Sequence, residues 1–515
     1  MLFGFVSLAI LLLVHVKLTP YAFDDAYIHF RISQNLVDYG VPYFNIDEPV
    51  NASSSALWVL LLSFVWGALK FLSLNKFFFT VVSVFNAIST LAGALVWTSI
   101  LTRLSGNQTG IWIKTGFCIL YIALLLESSV GLMETPFALL VAGIAMYLLL
   151  RSHPASLMLL GVLPFLRPEL AVMSLLAVVY ALRKNIFPWK RILLFPLIPI
   201  VLLLLYELFF FRSIIPQSMI AKSKLYVLTY QEILHQAANL TAGTLSDIEQ
   251  RFDYTVTLMT IGFAGTAIVA LYCRKDSPGA GSGVVVSLSG LAVLMSYVLA
   301  HTILFAWYFP LIGVPLLFSF AFILLFLRSR VLKLILVLFL VPFLYSQTMV
   351  LKQIVSVAWK GASHAGIFLT GARVRQYMQT GKVLNGLYPN ATLLSSEIGG
   401  LGKTFKGKII DGAGIVTPAA LQFHPMEVPL ERKSGAIGAI PLGLVKQAKP
   451  ELIVSYDIFI ESFLKSELRN DYEATIYPVF LEEDRQKLKT DESLWGIESL
   501  YVFVRKDLPP LSSIK

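Results

Sequence analysis

Apolar runs long enough to cross a bilayer dominate this chain and leave few folds open to it. They cover Met1–Thr19, Leu57–Ser73, Phe77–Leu101, Ile111–Leu126, Pro136–Leu150 and Ala155–Leu182. They continue through Arg191–Phe211, Tyr254–Tyr272, Val284–Thr302, Trp307–Leu327 and Val331–Val350. A hydrocarbon core of roughly 30 Å takes about 20 helical residues to cross, so these runs predict about eleven transmembrane helices. Composition agrees: 57% of the 515 residues are hydrophobic and 14% charged, which excludes an ordinary soluble enzyme. Met1–Thr19 has neither a basic n-region nor a small-residue cleavage site, so it is expected to stay as the first helix. Ala155–Leu182 can divide into two short helices at Pro164 or at Arg167-Pro168.

A net charge of +10 would point to nucleic acid in a soluble protein. Here the cations lie between apolar runs, where positive-inside bias accounts for them. Arg183-Lys184, Lys190-Arg191, Arg274-Lys275 and the group from Arg328 to Lys333 mark cytoplasmic junctions, and Lys70 and Lys76 agree. The segment around Asp24-Asp25, the Arg212–Asp253 loop and everything after Val350 then fall on the far side. Signals between Arg103 and His153 conflict, and no side is assigned there. Cys118 and Cys273 form neither a metal-ligand spacing nor a disulfide framework. The Pro278–Gly283 segment reads as a flexible cytoplasmic loop, since no strand–loop–helix pattern makes it a phosphate cradle.

Past Val350 charged residues become frequent and short apolar runs alternate with turn residues. Thr392–Ser395, Lys408–Asp411, Glu451–Ser455 and Leu500–Val504 predict strands, and Ile367–Leu384 and Ile460–Leu468 predict helices. The expected architecture is a polytopic α-helical membrane core, residues 1–350, carrying a C-terminal soluble α/β domain, residues 351–515.

Chemistry concentrates in the stretch after the first apolar run: Phe23-Asp24-Asp25-Ala26-Tyr27-Ile28-His29-Phe30-Arg31, then Asn45, Glu48 and Leu57-Trp58. Adjacent carboxylates at the mouth of a span are costly to desolvate, and each alone could be a wet loop residue. Together with His29, Arg31, Asn45 and Glu48 they suggest the catalytic loop of a membrane-embedded transferase. A transferase using a sugar on a lipid phosphate needs a carboxylate to take the acceptor proton or to stabilise charge on the ring. Asp24 or Asp25 supplies it; in an extended loop the two would point opposite ways, one to the acceptor and one in support. The departing phosphate needs cations, for which Arg31, His29, Lys222 and Lys224 are candidates. Arg31 could equally neutralise the aspartates, and His29 could be a helix-start residue. Tyr27, Asn45, Glu48, Glu134, Arg167, Glu169, Trp307 and Tyr308 are the candidates for reading the substrate. Alternatives stand beside several: Glu134 as an N-terminal helix acid ahead of Pro136, Arg167-Pro168-Glu169 as a self-neutralising pair, Trp307-Tyr308 as an interfacial aromatic belt. No metal site is readable, although Asp24-Asp25 could hold a hard divalent cation.

Asp24-Asp25-Ala26-Tyr27-Ile28, Arg31, Asn35, Gly40, Phe44-Asn45, Glu48 and Leu57-Trp58 resemble the opening motif of the polyprenyl-phosphate-dependent arabinofuranosyltransferases, GT-C fold enzymes of bacterial cell-envelope glycans and pilins. Gly131-Leu132-Met133-Glu134-Thr135, Leu166-Arg167-Pro168-Glu169, Pro216 through Lys222, Trp307-Tyr308, Glu397-Ile398-Gly399, Asp411 and Gly414 have counterparts in the same family. The resemblance implies a GT-C core in the bacterial inner membrane with its active site on the non-cytoplasmic side. It implies an Asp of the pair as base and a decaprenyl- or undecaprenyl-phosphoryl pentofuranose as donor. Lys222 would lie near the lipid phosphate, and the C-terminal domain would bind a glycan or glycoprotein acceptor. The chain departs from the family at Asn51-Ala52-Ser53-Ser54-Ser55-Ala56, where an acid-Gly and a Thr-Ser-Pro are usual, and that bears on sugar and acceptor identity.

Two other classes compete. A polyprenyl-phosphate-mannose-type transferase would share the fold. A lipid or solute transporter would also bury charge, but the chain shows no repeated halves or matched broken helices.

Overall fold

In a computed structural model of the chain, the described residues are 2–105, 110–226, 228–272, 280–360, 366–426, 440–486 and 497–511. Each apolar run is helical over most of its length. The N-terminal helices are α1 (Leu2–Leu18), α2 (Asp24–Tyr39), α3 (Ala56–Phe71), α4 (Phe78–Leu104), α5 (Ile111–Val130) and α6 (Thr135–Leu150). Next come α7 (Ala155–Leu166), α8 (Ala171–Arg183), α9 (Trp189–Phe211), α10 (Gln217–Leu225), α11 (Tyr230–Ala242) and α12 (Ile248–Tyr272). The bundle closes with α13 (Ala280–Leu299), α14 (Pro310–Phe326), α15 (Arg330–Phe339) and α16 (Val341–Lys360). Five described helices are long and apolar enough to cross a membrane, or up to seven if the bent pairs α1/α2 and α15/α16 each make one span. Four further apolar helices, α3, α6, α7 and α14, have only 10–17 residues. The chain is a polytopic helical membrane protein, with fewer helices of full spanning length than the eleven runs suggested.

The break expected near Arg167 is present. Arg167 is extended (φ −153°, ψ 121°) between α7 and α8, because the ring of Pro168 excludes the helical conformation from the residue before it. Pro164 stays inside α7. Cys273, Arg274-Lys275 and Pro278-Gly279 lie outside the described residues, whereas Ala280–Gly283 begin α13 and are not a loop.

Two segments expected as loops are helical. The Asp24-Asp25 stretch opens α2, which meets α1 at 85°. Its signals were an acid pair in the first turn and Gly40 at the end, left-handed at φ +76°, donating its N–H to Leu36. The expected extended backbone does not hold: the two aspartates open a helix, in which neighbouring side chains still diverge by about 100°. Within Arg212–Asp253, α11 starts at a capping box in which Thr229 and Glu232 satisfy each other's backbone N–H.

Beyond α16 and α17 (Gly366–Leu387) lies a five-stranded sheet: β1 (Leu393–Ser395), β2 (Ile409–Asp411), β3 (Leu452–Tyr456), β4 (Tyr472–Pro478) and β5 (Ser499–Arg505). The order is β2-β1-β3-β5-β4; β2, β1 and β3 are parallel, and β5 and β4 add antiparallel. Only β4 escaped the sequence reading, for it is an edge strand with mostly uncovered side chains. Alternate residues face two cores. Leu393, Ile409, Leu452 and Val502 pack with Tyr377 and Leu384 of α17, and with Ile28, Ile32 and Phe44 from the α2 region. Leu394, Ile410, Ile453 and Phe503 face Leu444 and Val445 of α19 (Leu442–Ala448, α18 being Gly399–Thr404) and Ile460 and Phe463 of α20 (Asp457–Leu464). One face of the sheet therefore covers α2.

Candidate active site

Three interruptions between apolar helices deliver polar residues beside the N-terminus of α2. Irregular backbone within a helical bundle persists only where protein covers it or a polar cavity needs it. The α5–α6 link, Gly131–Glu134, carries Leu132 at φ +60°. Gly131 lies so close to the Phe23 ring that an added Cβ would come within 2.3 Å of it. The α7–α8 break presents Arg167 and Glu169, and the α13–α14 link presents Trp307 and Tyr308.

From these links comes a closed ionic cluster. Arg167 Nη1 donates to Glu134 Oε1 at 2.5 Å, and its Nε and Nη2 donate to the two Glu169 oxygens at 3.1 and 2.6 Å. Tyr297 Oη, a lone hydroxyl in an apolar run that sequence reading passed over, donates to Glu169 at 2.7 Å. Arg167 is 2% exposed and Glu134 1%. One cation against two acids leaves an excess negative charge. His29 Nε2 lies 3.9 Å from Glu134 Oε2, an oxygen without a hydrogen bond among the described residues. Ser55 donates to the other Glu134 oxygen at 3.2 Å, and Ser53 Oγ is 3.0 Å from His29 Nδ1. His29 thus faces an acid rather than a free cation site.

A second cluster is open. Lys222 Nζ, from α10, lies 3.3 Å from Asp25 Oδ2 and 2.9 Å from Tyr308 Oη. The Lys222 and Asp25 side chains keep 19% and 24% exposure. An ammonium has three N–H donors, so among the described residues one remains for an incoming anion. Burial opposes the Lys222 charge, but Asp25 and the Tyr308 oxygen outweigh it and hold the amine above the ordinary lysine range. The position of α10 is set by Gln217, whose backbone N–H donates to Asn51 O at 2.7 Å and whose side chain donates to Gly414 O at 2.9 Å. Tyr308 joins the two clusters, since the Arg167 guanidinium lies 3.9 Å from its ring centre.

The adjacent aspartates face different partners. Asp24 accepts from the backbone N–H of Gly399 at 2.9 Å and of Gly400 at 2.8 Å, the first two residues of α18. Just ahead of α18, Arg373 and Glu397 form a largely buried pair at 2.9 Å. Burial pushes the Glu397 carboxyl up to about 7, with Arg373 pulling it down and Asp24 adding to the rise. Glu397 carried a family resemblance in the sequence but no role, because nothing local tied it to a residue about 370 positions earlier.

Other candidates stand elsewhere. Arg31 donates to the carbonyls of Phe44, Gly402, Phe405 and Gly407 and lies over the Phe44 ring, joining α2 to the C-terminal region. Asn45 makes both of its amide contacts with Ile409 of β2 and also donates to Glu48; Glu48 pairs with Lys408 at 2.5 Å. Tyr27 is buried among Phe30 and Phe79. Trp307 stacks on Phe305 with its indole N–H unpartnered among the described residues, and Lys224 is exposed. Glu207, unread in the sequence, accepts a hydrogen bond from Asn51 and borders, with Ser53 and Tyr206, a small open depression. No group of three or more His, Cys, Asp or Glu able to hold a metal occurs among the described residues.

No family model matches the chain, and no curated protein matches it. Among solved structures it is similar to the crystal structure of ArnT from Cupriavidus metallidurans in the apo state, at 13% identity, with 94% of each chain covered and a TM-score of 0.47. A likeness that loose assigns neither family nor activity.

Proposed function

We propose that the chain is a GT-C type membrane glycosyltransferase that moves a sugar from a polyprenyl-phosphate donor to a cell-envelope glycan or protein on the non-cytoplasmic face of a bacterial inner membrane. The observation that carries this reading is the half-open Asp25–Lys222–Tyr308 cluster. It sets a carboxylate beside a cation with a spare donor, where broken apolar helices meet the C-terminal region. In the proposed step a carboxylate of the Asp24-Asp25 pair takes the acceptor hydroxyl proton while that oxygen bonds to the anomeric carbon. The bond from the anomeric carbon to the phosphate oxygen breaks, and polyprenyl phosphate leaves with its charge held by Lys222. Arg167 and Glu134 orient Tyr308 from behind. Residues 1–350 would form the catalytic core, and residues 351–515 an outer domain that meets the acceptor. A pentofuranose, D-arabinofuranose in particular, is the proposed donor sugar, on the strength of the resemblance in the Asp24–Trp58 stretch. The test is purified protein in lipid nanodiscs with synthetic polyprenyl-phosphoryl arabinofuranose, ribose and mannose and a short glycan acceptor. Transfer from the arabinosyl lipid alone supports the full reading. Transfer from the mannosyl lipid alone keeps the reaction class and replaces the sugar. No transfer from any donor removes the transferase reading.

A further inference from the structure

We infer that the two adjacent aspartates divide their tasks: Asp24 is a positioning residue that docks α2 into the crevice of the C-terminal sheet, and Asp25 is the carboxylate that meets substrate. The inference rests on the transferase reading above and adds which carboxylate reacts. In the parallel part of the sheet, β1 lies between β2 and β3. Chain leaving β1 reaches β2 through α18 on one face, and chain leaving β2 reaches β3 through α19 on the other. Strand order thus reverses at β1, and the crevice at its carboxyl end is where open α/β sheets ordinarily receive ligands. Here that place is occupied from within the chain. Both Asp24 oxygens accept backbone N–H groups of the first two residues of α18, the helix that follows β1, at 2.9 and 2.8 Å. The fit is close: a Cβ on Gly399 would stand 1.9 Å from the Asp24 carbonyl oxygen and 2.9 Å from its carboxyl carbon. Arg31, two helical turns along α2, ties the same helix to the carbonyls of Gly402, Phe405 and Gly407. Among the described residues Asp25 makes no hydrogen bond to the sheet domain. Its Oδ2 faces Lys222, and its Oδ1 makes no hydrogen bond among the described residues.

The experiment compares Asp24→Asn, Asp25→Asn and Gly399→Ala in the full-length protein, using whichever donor the wild type turns over. Loss of the reacting base should lower kcat by at least about a hundredfold in Asp25→Asn. Asp24→Asn and Gly399→Ala should lose less, about tenfold, and match each other, because both loosen one joint. The acidic limb of the kcat/KM profile should persist in Asp24→Asn and disappear from the residual activity of Asp25→Asn. The inference is overturned if Asp24→Asn is the deeper loss or abolishes that limb while Asp25→Asn keeps it. Amide exchange gives a readout independent of turnover: Asp24→Asn should speed exchange at Gly399 and Gly400, and Asp25→Asn should not. Unchanged exchange in Asp24→Asn refutes the docking whether or not any donor is accepted. Wild-type inactivity with normal docking would count against the transferase reading alone.

Discussion

Tyr308 stands between two ionic clusters built from the same kinds of side chain and differing in closure. Behind it, Arg167 meets two carboxylates, is almost wholly buried, and uses its donors on Glu134, Glu169 and Tyr297. In front, Lys222 and Asp25 make one loose contact at 3.3 Å, stay partly exposed and keep donors and acceptors free. A closed buried cluster resists rearrangement, because any lost partner leaves an uncompensated charge. A half-open one can exchange an internal partner for a substrate phosphate at little cost. Charge inside this bundle thus has two uses, told apart by burial and by the number of ionic partners each cation holds.

The largest effect should come from breaking the closed cluster. Arg167→Met leaves Glu134 and Glu169 without their cation, and thermal unfolding in detergent should show a loss of about 3–5 kcal/mol, or no folded protein. Opening the other cluster should leave the fold alone. Lys222→Met should stay within about 1 kcal/mol of wild-type stability and lower turnover by about a hundredfold or more. A Lys222→Met protein that unfolds, beside an Arg167→Met protein that melts as wild type, would reverse the contrast.

The smallest effect concerns a third cation, Lys403 of α18, which lies 3.8 Å from the Phe79 ring centre and 5.0 Å from that of Tyr27. Burial lowers its amine from 10.5 to about 8. Between those values the unfolded chain binds more protons than the folded one. Stability from this residue is therefore withheld below about pH 8 and recovered as pH rises toward 10.5. Lys403→Met should be more stable than wild type at pH 7, with the gap closing by pH 10.5; melting temperatures across that range measure it. A variant less stable at pH 7 would show that attraction to the two rings exceeds the cost of burying the charge.

Much of this arrangement could be read locally. The proline after Arg167 determined the α7–α8 break, and the alternating runs after Val350 announced four of the five strands. The Asp24-Asp25 pair was singled out by the scarcity of charge around it. Its helical setting was also readable, from acids in a first turn and a glycine after the last, yet the neighbouring polar residues favoured a loop. Roles were harder. Arg31 is a phosphate candidate on charge and position alone, and three of its four carbonyl partners, from residues 402–407, are out of local view. Asn45 looked like a sugar contact because Ile409 of β2 was out of view.

The α7–α8 break, the segments apolar enough for a bilayer and the place where scarce charge collects are all legible in the chain itself. Those properties follow from residue spacing, proline and capping chemistry, and from the cost of desolvating charge. That Asp24 meets the start of α18, that Asp25 meets Lys222 and that Arg167 is closed in behind Tyr308 emerges only when the elements pack. Each of those partners lies on a different element, and a side chain's remaining hydrogen-bonding capacity is known only once all its neighbours are in place.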